Sequence, residues 1–455
     1  MKILLINPSW SSGYYAKAGF GFPPLGLGYI SASLKRDGYN VGIIDMNIEK
    51  FDYIHYDFSE WDLVGITSDT VRFGDACSIS KIIKQKGVPV VLGGSHASAV
   101  PESILKDNLA DYVISGEGEE SMIELARYLK EPERFSSINN LAYIDKHGQI
   151  KINQQTFIKD LDILPFPDRE SLKMHRYKLT FEGRPVAAMI TSRGCPFNCE
   201  FCSCSQFMGM KWRRHSAERS IEEMKILKKS GYDSIIFFDD NFTMDPRRVI
   251  ELSEGMIKNN FKFKWWAFSR TEEILRHQDM VESMSASGCK MLFVGFESAD
   301  DSILKDYNKK LTSNKAFEVA KVLKKYKINL YAAFIIGSLS ETKKTIKKSV
   351  QFAQKLNPKI VQFSILTPYP GTRLFETLKN KIITNDWHFF DGTHLVFKHP
   401  NFSPKSLRGE FLKAYIALYK NPKRFMYISK GLYEVVKNSI RSIGMEKYYK
   451  KVVSH

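Results

Sequence analysis

Short apolar runs alternate with amphipathic stretches along most of this chain, and that alternation constrains the fold more than any other feature. In the first 130 residues the runs Lys2–Ile6, Asn40–Asp45, Asp62–Thr67, Pro89–Leu92 and Asp111–Ile114 read as strands. Between them Leu25–Arg36, Phe73–Gln85, Pro101–Lys106 and Glu119–Tyr128 carry helical spacing. Strands that are apolar on both faces and separated by helices predict a parallel sheet covered on both sides. Five such units suit a doubly wound α/β domain of the flavodoxin-like kind, which binds ligands outside the carboxyl ends of its strands. Glycines gather at those ends: Gly93-Gly94, Gly116 and Gly118, with Gly21 to Gly28 after the first strand.

A second series starts at Val186. Strands are expected at Val186–Thr191, Ser234–Asp239, Lys262–Ser269, Met291–Glu297, Asn329–Ile336 and Ile360–Leu366. Helices are expected at Ala217–Ser230, Arg247–Asn259, Gln278–Ser287, Asn314–Lys324 and Thr342–Leu356. Six β/α units make an open or partial barrel, since the closed form needs eight. Leu164-Pro165-Phe166-Pro167 cannot continue a helix. The expected organisation is therefore a domain over 1–135, a connector over 136–180 with a hairpin at Tyr143–Ile150, a partial barrel over 181–400 and a basic helical segment over 401–455.

Six cysteines in 455 residues exclude a disulfide scaffold. No leader is expected, because the apolar run Met1–Ile6 is short and Pro8 follows closely. No stretch approaches the length of a membrane span, so a cytoplasmic enzyme is expected. The net charge of +17 is uneven: residues 1–130 hold 12 basic and 16 acidic side chains, and residues 405–455 hold 12 and 3. The basic tail, with interleaved Tyr415, Tyr419, Phe425, Tyr427, Tyr433, Tyr448 and Tyr449, reads as a solvated helical face packing its aromatics on the barrel or as a peripheral contact with an anionic membrane surface.

The chemistry-bearing motif is Cys195-Pro196-Phe197-Asn198-Cys199-Glu200-Phe201-Cys202, directly after the first strand of the second series. A structural zinc site wants four ligands, usually from two knuckles. A fully ligated [4Fe–4S] cluster wants four cysteines. Three leave one iron open to a substrate or cofactor. The C-x₃-C-x₂-C spacing, with aromatic Phe201 before the last cysteine, resembles the radical S-adenosylmethionine (SAM) superfamily. That resemblance implies a [4Fe–4S] cluster on Cys195, Cys199 and Cys202 whose open iron chelates SAM and cleaves it reductively to a hydrogen-abstracting 5′-deoxyadenosyl radical. It also implies SAM contacts from Phe201, from Asp239 and Asp240, from Ser269 and Arg270, from Glu297 and from Gly337. Cys204 reads as a free cysteine, and Cys77 and Cys289 as small buried residues in helical surroundings.

The stretches Phe22–Tyr29, Asp62–Ser68, Val91–His96 and Ser115–Glu119 resemble the cobalamin-binding domain that precedes many radical SAM barrels. The resemblance implies cobalamin contacts from Thr67, Ser68, Gly93, Gly94, Ser95, Gly116, Glu117 and Gly118. The D-x-H-x-x-G motif that supplies a histidine to cobalt is absent from residues 1–130, so no lower-axial histidine is expected there. Together the resemblances cover residues 1 to about 400. They imply a cobalamin-dependent radical SAM enzyme that methylates an unactivated carbon of a small-molecule or lipid-like substrate, fed electrons by a partner such as flavodoxin or ferredoxin. Ring closure or rearrangement without methyl transfer is the alternative. A methylthiotransferase would need three further cysteines in the first domain, where only Cys77 occurs, and nucleic acid is not an expected partner. An iron–sulfur module without catalysis is the remaining class.

Overall fold

A computed structural model describes residues 1–10, 21–309 and 312–419. The first sheet contains β1 (Lys2–Asn7), β2 (Asn40–Asp45), β3 (Leu63–Thr67), β4 (Val90–Gly93), β5 (Tyr112–Ile114), β6 (Leu141–Ile144) and β7 (Ile150–Ile152), in the order β2-β1-β3-β4-β5-β6-β7. β1 to β5 are parallel and follow the doubly wound order. The hairpin β6–β7, within the stretch read as a connector, adds two antiparallel strands to this sheet. Alternation along β1 explains the double burial: Ile3 and Leu5 join one core layer, and Leu4 and Ile6 the other. The helices Leu25–Arg36 and Phe73–Gln85 occupy the expected residues.

The second sheet contains β8 (Thr180–Phe181) and β9 (Arg184–Met189). A short pair, β10 (Ser192–Arg193) and β11 (Arg213–Arg214), stands apart. The sheet continues through β12 (Ser234–Phe237), β13 (Lys264–Ser269), β14 (Cys289–Glu297), β15 (Asn329–Ile336) and β16 (Ile360–Ile365). The order β16-β15-β14-β13-β12-β9-β8 is a six-stranded parallel half-barrel, with β8 as an antiparallel edge strand. Helices on the outer face are started by local caps: Ser216 accepts from the Arg219 N–H, Asp245 from those of Arg247 and Arg248, and Thr342 and Thr345 form a capping box.

Two readings change. β9 and β12 end two residues before the expected Thr191 and Asp239, because those two residues hydrogen-bond each other instead of continuing the ladder. Cys289 opens β14 and is buried in the barrel core, so its surroundings are a strand rather than a helix. The helix Pro404–Tyr419 packs over β16, where the Tyr415 hydroxyl donates to the Phe363 carbonyl. The other tail aromatics assigned above, Tyr427 and Tyr449 among them, lie outside the described residues or, for the Tyr419 side chain, outside the described side chains. No helix among the described residues is long and apolar enough to cross a membrane.

Candidate functional site

The cysteine loop leaves the C-terminal end of β9. Gly194 turns it with φ +83°, and a Cβ there would lie 2.4 Å from the Lys211 carbonyl oxygen, so glycine is required. Cys195, Cys199 and Cys202 are all partly exposed. Among the described residues no three His, Cys, Asp or Glu side chains are gathered tightly enough to grip a single ion. Three thiols spread along one loop suit a cubane, whose irons each take one thiolate. Burial raises the Cys195 thiol to about 11 and also raises Cys199, while the Cys204 thiol hydrogen-bonded beside Cys202 lowers that group. Metal binding would have to deprotonate the raised pair. Arg270 stands at the loop: Nη1 lies 3.9 Å from Cys199 Sγ and the guanidinium sits 3.7 Å over the Phe197 ring.

The expected SAM residues divide. Asp240 faces the surface and accepts the Gly194 N–H at 2.8 Å, which ties it to the cluster loop. Ser269 bonds Thr243 at 2.8 Å, Phe201 meets the Tyr307 ring edge-on, and Gly337 turns with φ +92° at the end of β15. Asp239 is engaged within the protein. Its carboxylate accepts from the Thr191 N–H, the Thr191 hydroxyl and the Ser192 hydroxyl at 2.6 Å each, and it is buried. It fastens the strand before the cysteines to β12. Burial raises its pKa, and buried Arg248, which donates to the Thr191 and His215 carbonyls, opposes that rise. Glu297 is also engaged: held at φ +64°, it accepts from Lys309 Nζ at 2.5 Å. A ribose contact from Glu297 requires Lys309 to yield.

On the first sheet, the C-terminal ends of β3, β4 and β5 open into a cleft. Thr67, Gly93, Gly94, Gly116 and Gly118 line it, with Leu5, Gly65, Val91 and Met122 below. Glycine keeps the space clear: a Cβ on Gly65 would lie 2.9 Å from Leu5 Cδ2, and one on Gly118 3.0 Å from Ile30 Cδ1. Ser68, Ser95 and Glu117 do not line this cavity. Ser68 instead donates to the Gly93 carbonyl. No histidine lines it. His96, which follows the glycine pair, is wedged between the Phe73 and Trp387 rings, and neither of its ring nitrogens has a hydrogen-bond partner.

Glu117 has a different place. Its carboxylate receives Arg193 Nη1 at 2.8 Å, Arg213 Nη1 at 2.6 Å and the Ile158 N–H at 2.8 Å. Arg193 also donates to Glu119 at 2.7 Å and lies 5.0 Å over the Tyr29 ring. Arg193 adjoins the cysteine loop, and Glu117 sits between two cavity glycines. A buried ionic clasp therefore joins the two sites. Sequence reasoning missed Arg193, Arg213 and Glu119. Their only local signal is two acidic residues in a glycine turn and an arginine next to the motif.

The fold and site define a radical SAM enzyme with an N-terminal B12-binding domain. The family described as Radical SAM superfamily matches residues 189–353, and B12 binding domain matches residues 12–126. The chain is 35% identical to the uncharacterized methyltransferase PH0819 of Pyrococcus horikoshii, over 99% of each chain. It is 28% identical to the anaerobic magnesium-protoporphyrin IX monomethyl ester cyclase of Cereibacter sphaeroides, covering 95% of this chain and 71% of that one. It is 26% identical to the hopanoid C-3 methylase of Methylococcus capsulatus, covering 92% and 80%. Among solved structures, the cobalamin-dependent SAM radical enzyme OxsB shares the fold with a TM-score of 0.75 at 19% identity, over 91% of this chain and 66% of that one. The radical SAM methyltransferase TsrM of Kitasatospora setae does so at 0.69 and 19%, over 83% and 78%. The chain belongs to the cobalamin-dependent radical SAM methyltransferase family, whose relatives also include a cyclase. Its cofactors are a [4Fe–4S] cluster, SAM and cobalamin.

Proposed function

We propose that this enzyme transfers a methyl group to an unactivated carbon of a small-molecule substrate held between the two domains. The observation that carries the reading is the Arg193–Glu117–Arg213 clasp, which couples the cysteine loop to the glycine-lined cavity. When bound, the cluster and SAM supply a hydrogen-abstracting radical, and cobalamin supplies a transferable methyl group.

In this reading Cys195, Cys199 and Cys202 hold three irons, and Arg270 and Asp240 orient SAM from the ends of β13 and β12. Arg270 suits a carboxylate, which a guanidinium binds through paired donors. Thr67, Gly93, Gly94, Gly116 and Gly118 let a flat group approach their backbones, as the nucleotide tail of cobalamin requires. Ser68, Ser95 and Glu117 act around that cavity rather than in it. The reading includes an external one-electron donor of the flavodoxin or ferredoxin type and a cytoplasmic location.

Anaerobic reconstitution with iron, sulfide and hydroxocobalamin, followed by product analysis, tests it. Bound cobalamin with both 5′-deoxyadenosine and S-adenosylhomocysteine is expected. Cleavage of SAM without retained cobalamin sinks methyl transfer. The relatedness to a cyclase supports a second reading, ring closure. It would give 5′-deoxyadenosine without S-adenosylhomocysteine.

A further inference from the structure

The concave face of the half-barrel carries an aromatic wall outside the residues assigned to the cofactors. Trp265, Ala267, Leu292, Val294, Phe334 and Phe363 belong to the core beneath the helices. Strand alternation turns their neighbours to the opposite, inner face. These neighbours are Trp266 and Phe268 on β13, Phe293 on β14 and Tyr331 on β15, with Phe238 just past β12. Cross-strand register agrees, since Phe268 lies beside Phe293 and Phe293 beside Tyr331.

The five rings are continuous. Centroids lie 6.4 Å apart for Phe238–Trp266, 5.2 Å for Trp266–Phe268, 5.0 Å for Phe268–Phe293 and 4.8 Å for Phe293–Tyr331. All five are only partly buried. They span three inter-strand spacings, about 14 Å. A contiguous apolar surface left in contact with water marks a binding face. The wall also adjoins the reaction centre: Phe268 precedes Ser269 and Arg270, and Phe238 precedes Asp239 and Asp240.

Polarity is confined to its ends. At the far edge the Tyr331 hydroxyl donates to Gln362 Oε1 at 2.7 Å, and Gln362 Nε2 donates to Ser364 Oγ at 3.3 Å. The charged side chains stand beyond the five rings: Lys264, with Lys290 near it, lies at the opposite end of β13 from Arg270, and Glu297, bonded to Lys309, closes β14 at the other end. A ligand bearing carboxylates or phosphates along its body would find no counter-charge on the wall. A neutral oxygen could exchange into the Tyr331–Gln362–Ser364 chain.

We propose that the substrate is an uncharged, polycyclic hydrocarbon molecule, laid flat on Phe238, Trp266, Phe268, Phe293 and Tyr331, with a neutral hydroxyl-type group at the Tyr331–Gln362–Ser364 edge. This rests on the reading that methyl transfer takes place between the two domains, where the cysteine loop at the end of β9 faces the glycine-lined cleft. Rigid fused rings match a broad wall of rings, because offset stacking and edge contacts need a surface rather than a chain.

The test uses the reconstituted enzyme and dehydroergosterol, a fluorescent four-ring alcohol, with energy transfer from tryptophan as the signal. Saturable binding is expected. Trp266→Phe should remove most of the transfer. Phe293→Glu should weaken binding at least tenfold, read by the probe's own anisotropy, and the milder Phe293→Leu about threefold. Absence of saturable binding to the unmutated enzyme overturns the proposal, as does binding that Phe293→Glu and Phe293→Leu both leave unchanged. Tighter binding of protoporphyrin IX, a flat dicarboxylate, overturns the uncharged class. SAM cleavage and cobalamin retention by the same preparation are scored separately. An enzyme that cleaves SAM with both products yet ignores the sterol loses only the substrate class. One that binds the sterol without cleaving SAM loses the proposed reaction and keeps the wall.

Discussion

Arg193 and Glu117 meet across the two domains, with Nη1 2.8 Å from Oε1 and side chains 5% and 2% exposed. Arg193 stands two residues before Cys195, and Glu117 stands between Gly116 and Gly118. One buried ion pair thus sets where the cysteine loop lies relative to the cavity. Arg213 and Glu119 complete it, so each charge has a partner in a place water does not reach.

Glu117→Ala leaves two buried guanidinium groups short of a carboxylate. Breaking a buried pair by removing one partner costs about 3 to 5 kcal/mol, read as a lower urea midpoint. The two sites should also lose register, so that methyl transfer per SAM cleaved falls about tenfold or more. An unchanged midpoint and an unchanged ratio of products would refute the clasp.

Asp239 and Arg270 should behave oppositely. Asp239→Asn removes a buried charged acceptor with three donors and should cost about 1 to 3 kcal/mol of stability, with SAM affinity changed little. Arg270→Gln should loosen SAM about tenfold, the worth of one charge-assisted bond, with little change in stability. Equilibrium binding of SAM and thermal unfolding of both variants decide it. The reverse pattern would return Asp239 to the cofactor.

Cys199→Ala should abolish bound iron and 5′-deoxyadenosine formation together. Cys204→Ala should keep its iron, because its thiol sits beside Cys202 and Asp240 rather than among the three spaced ligands. Iron and sulfide content and the visible absorption band report both. Iron lost from the Cys204 variant alone would reassign the ligand set.

Gly65→Val should fill the cavity from its floor, since even a Cβ there lies 2.9 Å from Leu5 and 3.7 Å from Met122. Cobalamin retained after desalting should drop while iron content stays. Full cobalamin retention would move that cofactor elsewhere.

His96 makes stability depend on acid. Burial lowers its pKa to about 3, below the ordinary value near 6.5. The unfolded chain therefore takes up a proton below about pH 6.5 while the folded chain does not. This contribution is fully present above pH 6.5 and falls with pH, by about 1.4 kcal/mol per unit, until the folded ring itself titrates. Between pH 7 and 5 the unmutated enzyme should lose about 2 kcal/mol more than His96→Phe. Equal losses in urea unfolding would contradict an uncharged ring between Phe73 and Trp387.

His388 runs the other way. Burial acts to lower its pKa, but hydrogen bonds to Asp386 and Asp75 override that and raise it. Its bridge to the first domain stabilises below about pH 6.5 and is lost as pH rises through the raised value.

Much of this was legible from local pattern. The helices Leu25–Arg36 and Phe73–Gln85 follow from spacing alone, because an amphipathic period registers within a few turns. The cysteine loop follows because its three ligands fall within one eight-residue segment. The roles of Asp239 and Glu117 did not follow. Both stand in motif-like turns beside glycine or a second carboxylate, and nothing nearby says whether the acid faces a cofactor or a protein donor.

The sequence by itself determined the two β/α series, the placement of the cysteines after a strand and the glycines at the cavity, since each depends on neighbours in the chain. Only the tertiary structure decided that Glu117 meets Arg193, that His96 lies against Trp387 and that five rings from four successive β/α units form one wall. Those pairings are between residues far apart in the chain. Burial makes each of them matter: a charge or ring removed from water must be matched by whatever the fold brings beside it.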